Sequence, residues 1–386
     1  MVNLPANILP ANPGNALLVG RVWDPETHGP RVVAVRGLEV YDITAVTATV
    51  SDLLEAQDPA GLVAEVVSNP RWNLEELVEA SLAQNADRPH LLAPIDLQVI
   101  KACGVTFIES MVERVIEERC GGDANRAAEV RELVTSSLGS SLASLRPGSE
   151  EATRAKGVLV AQGMWSQYLE VGIGANPEVF TKAPVLSSVG FGASVGIPTF
   201  SSWNNPEPEL VLVASSRGDI RGATLGNDVN LRDIEGRSAL LLGMAKDNNA
   251  SSAIGPFIRL FDSEFTVDSL RNEEITLTVD GLDGYHLEGN NSVAKISRPF
   301  EELVAAAYGD HHQYPDGFCL FTGTLFAPTQ DREVAGQGFT HKSGDVVVIT
   351  SANLGTLVNV TGVAEELPQW NFGIRALFDY LGRHRG

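Results

Sequence analysis

The sequence predicts an α+β protein: an N-terminal α/β part over residues 1–150 attached to a β-rich catalytic part over 151–386. Three observations carry this reading. Apolar residues at Ile108, Met111, Val112, Val115 and Ile116 recur at the 3.6-residue helical period. From about residue 185 onward, short apolar or alternating runs bounded by Gly and Asp take over. Between the two lies Ser136–Gly148, rich in Ser, Gly and Pro, which reads as a linker.

Residues 1–65 read as short strands and turns, with Ala16–Trp23 and Arg31–Val35 as the strands. Residues 73–172 read as mainly helical. Asn73 ahead of Glu75 and Glu76 marks one helix start, and Asp123 caps a helix over Ala124–Ser137. A third helical segment covers Glu150–Leu169. Further on, strands are expected at Leu210–Ala214, Ile275–Val279, Cys319–Thr322 and Val346–Ile349, with short helices at Glu301–Ala307 and Arg375–Leu381. No internal repeat and no heptad run is present.

A chain of 386 residues, 44% of them hydrophobic, can bury a sizeable core and form two domains or one with a large extension. Its formal net charge of −21 and lack of a Lys/Arg cluster exclude a duplex-binding face. A small substrate and a divalent cation suit that charge better than nucleic acid or anionic lipid. Cys103, Cys120 and Cys319 are odd in number and widely spaced, which argues against a disulfide framework. Two of them fall in helix-like sequence and read as buried or half-buried thiols. Met1–Gly20 has no basic leading region and carries three prolines, unlike a signal peptide. No apolar run approaches the ~20 residues that span a bilayer. A cytoplasmic protein is expected.

Two stretches carry the chemistry. In Pro206-Glu207-Pro208-Glu209, two carboxylates stand at i and i+2 where a strand begins, so both point to one face. A hairpin through Ser216–Asp219 can return Asp228 of Gly226-Asn227-Asp228-Val229-Asn230-Leu231-Arg232-Asp233 to their side. Three converging carboxylates repel unless a hard cation sits between them, and all-oxygen ligation suits Mg²⁺ or Mn²⁺ rather than zinc. Lys246 follows in Gly243–Asp247; a lysine near a cation loses preference for its charged form, which favours proton transfer. Singly these residues are ordinary: a solvated strand edge, a turn aspartate, a surface lysine. Their combination is not.

In order, spacing and context, this stretch from Pro206 to Pro256 resembles the catalytic core of the fumarylacetoacetate hydrolase superfamily. Gly323-Thr324, Gly338–His341 and Gly344–Val346 are similar to its later signatures, so the resemblance covers about residues 160–362. It implies a mixed, mostly antiparallel β-roll that forms a homodimer or larger homo-oligomer. It also implies Mg²⁺ on Glu207, Glu209 and Asp228, and a 2-oxo acid chelating the metal.

Departures from the hydrolase pattern bear on the reaction. C–C bond-cleaving members carry a water-activating histidine, but Gly163–Gly172 here has Tyr168 and no histidine, and none lies between His90 and His286. Glu178 of Pro177-Glu178-Val179-Phe180-Thr181-Lys182, which by itself reads as an exposed turn carboxylate, stands in its place. With Pro206–Leu210 and Leu354–Leu357, that segment resembles the 2-keto-3-deoxyarabinonate dehydratase branch. The resemblance then implies Glu178 and Lys246 as acid/base groups. It also implies Mg²⁺-dependent dehydration of a 2-keto-3-deoxypentonate to α-ketoglutarate semialdehyde (2,5-dioxopentanoate) in non-phosphorylative pentose catabolism. The alternative is a metal-dependent hydrolase of an acylpyruvate or 2,4-diketo acid, drawing its base from elsewhere. The His311-His312 pair reads as a polar loop. A hydroxyl of Thr350 or Ser351 is expected to bind the substrate carboxylate, and Arg232 and Asp233 to brace the metal loop through an ion pair.

Overall fold

The computed structural model describes residues 8–138 and 145–384. In chain order the strands are β1 (Leu18–Asp24), β2 (Gly29–Arg36), β3 (Glu39–Asp42), β4 (Trp72–Asn73), β5 (His90–Leu92), β6 (Val99–Gly104), β7 (Glu178–Ala183), β8 (Ser194–Ile197), β9 (Asn204–Asn205), β10 (Pro208–Ala214), β11 (Ile220–Asp228), β12 (Asn230–Leu231), β13 (Ser252–Leu260), β14 (Glu274–Asp280), β15 (His286–Ser292), β16 (Phe318–Phe321), β17 (Val346–Ser351) and β18 (Gly355–Val363). The helices are α1 (Val50–Glu55), α2 (Pro59–Ala64), α3 (Leu74–Leu82), α4 (Ile108–Cys120), α5 (Ala127–Leu138), α6 (Glu150–Ala161), α7 (Gln167–Ile173), α8 (Arg232–Glu235), α9 (Leu242–Lys246), α10 (Phe300–Ala307) and α11 (Ile374–His384).

Apolar alternation sorts the strands into two main sheets. The larger runs β4-β3-β2-β1-β13-β11-β10-β16-β6-β7, with β5 also on β1; the smaller runs β15-β14-β17-β18-β8; β9 and β12 form a short ribbon. Pairing is antiparallel except for β16 with β6 and β18 with β8. Neither sheet closes into a barrel. The large sheet crosses residue 150, since strands of residues 18–104 share it with strands from the second half of the chain.

β10 shows why the centre is dry. Leu210 and Leu212 face a core shared with Ile275, Leu277 and Val279 of the small sheet. Val211 and Val213 face a second core with Leu53, Leu54 and Val63 of α1 and α2. A strand covered on both faces reads as a continuous apolar run. Helices α4 to α7 build a third core around Val115, Ile116, Leu159 and Leu169, joined to the ribbon through Trp203.

Several expectations need correction. The segment 73–172 contains strands β5 and β6, so Cys103 lies on a strand; all three cysteines are free and buried. Residues 1–65 also hold α1 and α2, started by Thr49 and Asp58, whose side chains accept from the first-turn amides. Asp123 does cap a turn, but a 3₁₀ turn over Ala124–Arg126 precedes α5. Residues 139–144 of the expected linker lie outside the described residues. No helix among the described residues is long and apolar enough to cross a membrane.

Candidate active site

The β10–β11 hairpin sets the acidic centre. Its antiparallel register puts Glu209 opposite Gly226, and the Asp228 amide donates to the Glu207 carbonyl at 3.0 Å. Alternation turns Glu207 and Glu209 to one side, and Asp228 arrives beside them. One oxygen of each carboxylate lies within 4.8 Å of the others, and all three residues are buried. Oxygens on an octahedral Mg²⁺ at about 2.1 Å are about 3–4 Å apart, so a small inward shift completes the geometry. The donor set, all carboxylate oxygen, fits a hard divalent cation.

Three cationic side chains surround this centre. Lys246, at the end of α9, places Nζ 2.5 Å from Glu207 Oε2 and 3.3 Å from Asp228 Oδ2. Lys182 on β7 places Nζ 2.8 Å from Asp228 Oδ1, at an angle that leaves that oxygen without a directed hydrogen bond. Arg114 of α4 pairs with Glu207 Oε1 and with Glu117, and lies 3.3 Å from Glu235. Among the described residues Glu209 has no cation as a hydrogen-bond or ion-pair partner; it accepts from the Gly323 amide at 2.7 Å. Burial, with Asp228 and Glu207 alongside, pushes Glu209 well above the ordinary carboxylate range. Burial works the same way on Asp228, but Lys182 and Lys246 prevail and hold it below its usual value. Burial pulls Lys182 down. In Lys246, burial is outweighed by Asp228 and Glu207, which raise it above the usual lysine range.

Glu178 opens β7, with Phe180 and Lys182 following at i+2 and i+4, so the three share a face. It is half-buried. Burial first, then nearby Glu235, pushes its carboxyl up to about 7. β6 seats it: Gly104 pairs with Glu178, and a Cβ at Gly104 would lie 1.9 Å from Glu178 Oε2. Gly104→Ala is therefore expected to displace the Glu178 carboxylate. It should lower kcat at least tenfold, about 1.4 kcal/mol of barrier, with KM for metal unchanged; steady-state kinetics under metal titration checks this.

Other expected residues sit differently. Arg232 and Asp233 do not pair with each other, because adjacent positions on a helical turn do not face one another. Arg232 Nε lies 3.1 Å from Glu117 Oε1 and donates to Asn205 Oδ1 at 2.9 Å, whereas Asp233 accepts from Ser201 Oγ and the Ser202 amide. The Ser351 hydroxyl donates to Glu273 at 2.5 Å, and the hydroxyls of Thr350 and Thr356 are 3.3 Å apart. None of these bonds reaches the acidic centre. His311 and His312 are exposed on a loop. His341 is buried against Asp345 at 3.1 Å, and burial keeps its imidazole below the usual histidine range. Sequence reasoning missed Arg114 and Glu117, which come from distant α4, and Glu235 of α8, just beyond the Asp228–Asp233 stretch. It also passed over Lys182 as a functional group, although period-two spacing from Glu178 was a usable signal.

A buried acidic centre at the end of a central hairpin, with two buried lysines beside it, could hold a metal ion. The family described as Fumarylacetoacetate (FAA) hydrolase C-terminal matches residues 166–361, and the chain belongs to the fumarylacetoacetate hydrolase family. It is similar to 2-dehydro-3-deoxy-D-arabinonate dehydratase of Saccharolobus solfataricus, 34% identical over 194 residues. That alignment covers 50% of this chain and 60% of the relative's length. It is also similar to a Haloferax volcanii protein named "Probable 2-keto-3-deoxyxylonate dehydratase", 27% identical over 336 residues, covering 85% of this chain and 94% of that one. Among solved structures, the fold matches 2-keto-3-deoxy-D-arabinonate dehydratase in its apo form at TM-score 0.63 and 22% identity, over 90% of this chain and 99% of that one. The same enzyme "complexed with magnesium and 2,5-dioxopentanoate" matches at 0.63 and 22%, over 90% and 99%. These structural likenesses establish a shared fold.

Proposed function

We propose that this protein is a Mg²⁺-dependent dehydratase that converts a 2-keto-3-deoxypentonate to 2,5-dioxopentanoate in non-phosphorylative pentose catabolism. The observation that carries the reading is the Glu178–Lys246 pair beside the acidic centre: a carboxyl pushed up to about 7 near a lysine held charged. The names of the two relatives support the same reaction. Hydrolysis is not favoured. Among the described residues no histidine hydrogen-bonds to Glu207, Glu209, Asp228, Glu178 or Lys246, and His341 is bound to Asp345.

Glu207, Glu209 and Asp228 would hold Mg²⁺ or Mn²⁺, which when bound supplies a Lewis acid that polarises the 2-oxo group.

Ionised Glu178 takes a proton from C3. The C4–O bond breaks as the C3–C4 double bond forms, and Lys246 gives its proton to the departing hydroxyl, which leaves as water. Glu178 then returns its proton to C3 while Lys246 takes one from C5, which restores both groups. The resulting C5 enol ketonises to the aldehyde. Thr350 and Ser351 remain candidates for contact with the substrate carboxylate. Three buried free cysteines support a reducing compartment such as the cytoplasm. Family likeness supports a homodimer or larger homo-oligomer, which light scattering checks.

The direct assay couples product formation to an aldehyde dehydrogenase. With Mg²⁺ and a 2-keto-3-deoxypentonate, reduced cofactor should accumulate and EDTA should stop it. No product from either C4 epimer, with turnover of a 2,4-diketo acid instead, would replace this reading with the hydrolase.

A further inference from the structure

We propose that Arg114 is a positioning residue for the cation site, and that supplying it is a functional contribution of α4, which lies outside the matched family segment. The inference rests on the cation-site reading above and not on the identity of the substrate.

Arg114 grips the site in two ways. Directly, Nη2 pairs with Glu207 Oε1, which leaves Oε2 to face Lys246 and Asp228. Indirectly, Nη1 pairs with Glu117, Glu117 Oε1 lies 3.1 Å from Arg232 Nε, and Arg232 donates to Asn205, two residues before Glu207. Both the side chain and the backbone leading to it are thus held from α4. The third arm, to Glu235 at 3.3 Å, ties the same guanidinium to α8. Glu207, Glu117, Glu235, Arg232 and Asn205 are all buried, so these bonds act in a low dielectric, where orientation is strongly enforced.

The close approach that allows this is built into the backbone. Gly122, just past the end of α4, has φ +74°, and a Cβ there would lie 2.3 Å from the Asp233 carbonyl oxygen. A larger residue would push α4 off α8 and withdraw Arg114. A planar guanidinium can serve three carboxylates at fixed angles; a lysine ammonium keeps the charge but not the fork. Partners that orient a metal ligand without touching the metal typically set affinity by about 10- to 100-fold.

The test measures Mn²⁺ binding to substrate-free protein by electron paramagnetic resonance, with thermal unfolding of each variant alongside. Arg114→Lys is expected to raise the Mn²⁺ Kd by about 10- to 100-fold, with substrate KM unchanged at saturating metal. Glu117→Gln, which loosens one arm of the clamp, should shift Kd in the same direction. Glu113→Gln, on the same helix as Arg114, breaks the pair with Arg131 of α5 and should leave Kd unchanged. A merely structural role would lower the melting temperature of Arg114→Lys and leave the Mn²⁺ affinity of the folded protein intact; that result overturns the proposal. Wild-type protein that binds no Mn²⁺ would defeat the cation-site reading and this one together. Mn²⁺ binding that follows the expected pattern without any dehydration product would defeat only the dehydratase reading.

Discussion

Glu178→Gln is expected to lower kcat by about 10²–10⁴-fold, to leave Mn²⁺ binding intact, and to raise the thermal midpoint at pH 8 but not at pH 5. The two halves share one physical cause. Burial and Glu235 raise the Glu178 carboxyl to about 7, against the opposing pull of Arg114 and Lys246. A base raised in this way retains appreciable basicity toward a C3 proton. The same perturbation weakens the fold. Because the folded state binds the proton more tightly than the unfolded chain, Glu178 loses stability for the protein as pH rises from its ordinary value of 4.5 toward 7, and the loss levels off above that. Glutamine removes the charge and with it this loss, but only where glutamate would have been ionised. For the wild type, kcat/KM should rise with pH through about 7 as the base ionises. A Glu178→Gln enzyme of full activity would remove that residue from the reaction.

Asp228→Asn is expected to abolish cation binding and turnover together, and also to destabilise the fold. Asp228 is the one member of the acidic centre that touches both lysines, and Lys182 is wholly buried beside it. Removing one partner of such a buried pair strands the other charge, at a typical cost of about 3–5 kcal/mol. Burial already pulls Lys182 down, so in the variant it should shed its proton to a greater extent, and the stability deficit should shrink as pH rises. Calorimetric Mn²⁺ titration and denaturant unfolding across pH 6–9 check both parts. Wild-type Mn²⁺ affinity in Asp228→Asn would show that the centre is a charge cluster and not a cation site.

What could be read from sequence divides along a physical line. The β10–β11 hairpin was legible because strand alternation is local: Glu207 and Glu209 two residues apart, a turn at Ser216–Asp219, and Asp228 at the matching distance. Of the small sheet, β14 and β17 were legible for the same reason, whereas β8, β15 and β18 were not read as strands. β6 was not, since a strand packed on both faces, with Val99, Ile100, Ala102 and Cys103 in sequence, lacks alternation and blends into a helical neighbourhood. The Arg232–Asp233 pairing failed because sequence adjacency says nothing about which way side chains project from a helical turn. Arg114 lies 93 positions from Glu207 on a helix whose pattern announces only an apolar stripe. The N-terminal part's share in the site appears only once the large sheet joins both halves of the chain and brings α4 over the acidic centre.

The most direct measurement follows a 2-keto-3-deoxypentonate with the enzyme and Mg²⁺ by proton nuclear magnetic resonance in deuterated water. Loss of the C4 carbinol signal, matched by a C5 aldehyde signal and by deuterium at C4, where the enol ketonises, is the expected result. Pyruvate and glycolaldehyde in its place, or C3 exchange with C4 untouched, would contradict dehydration.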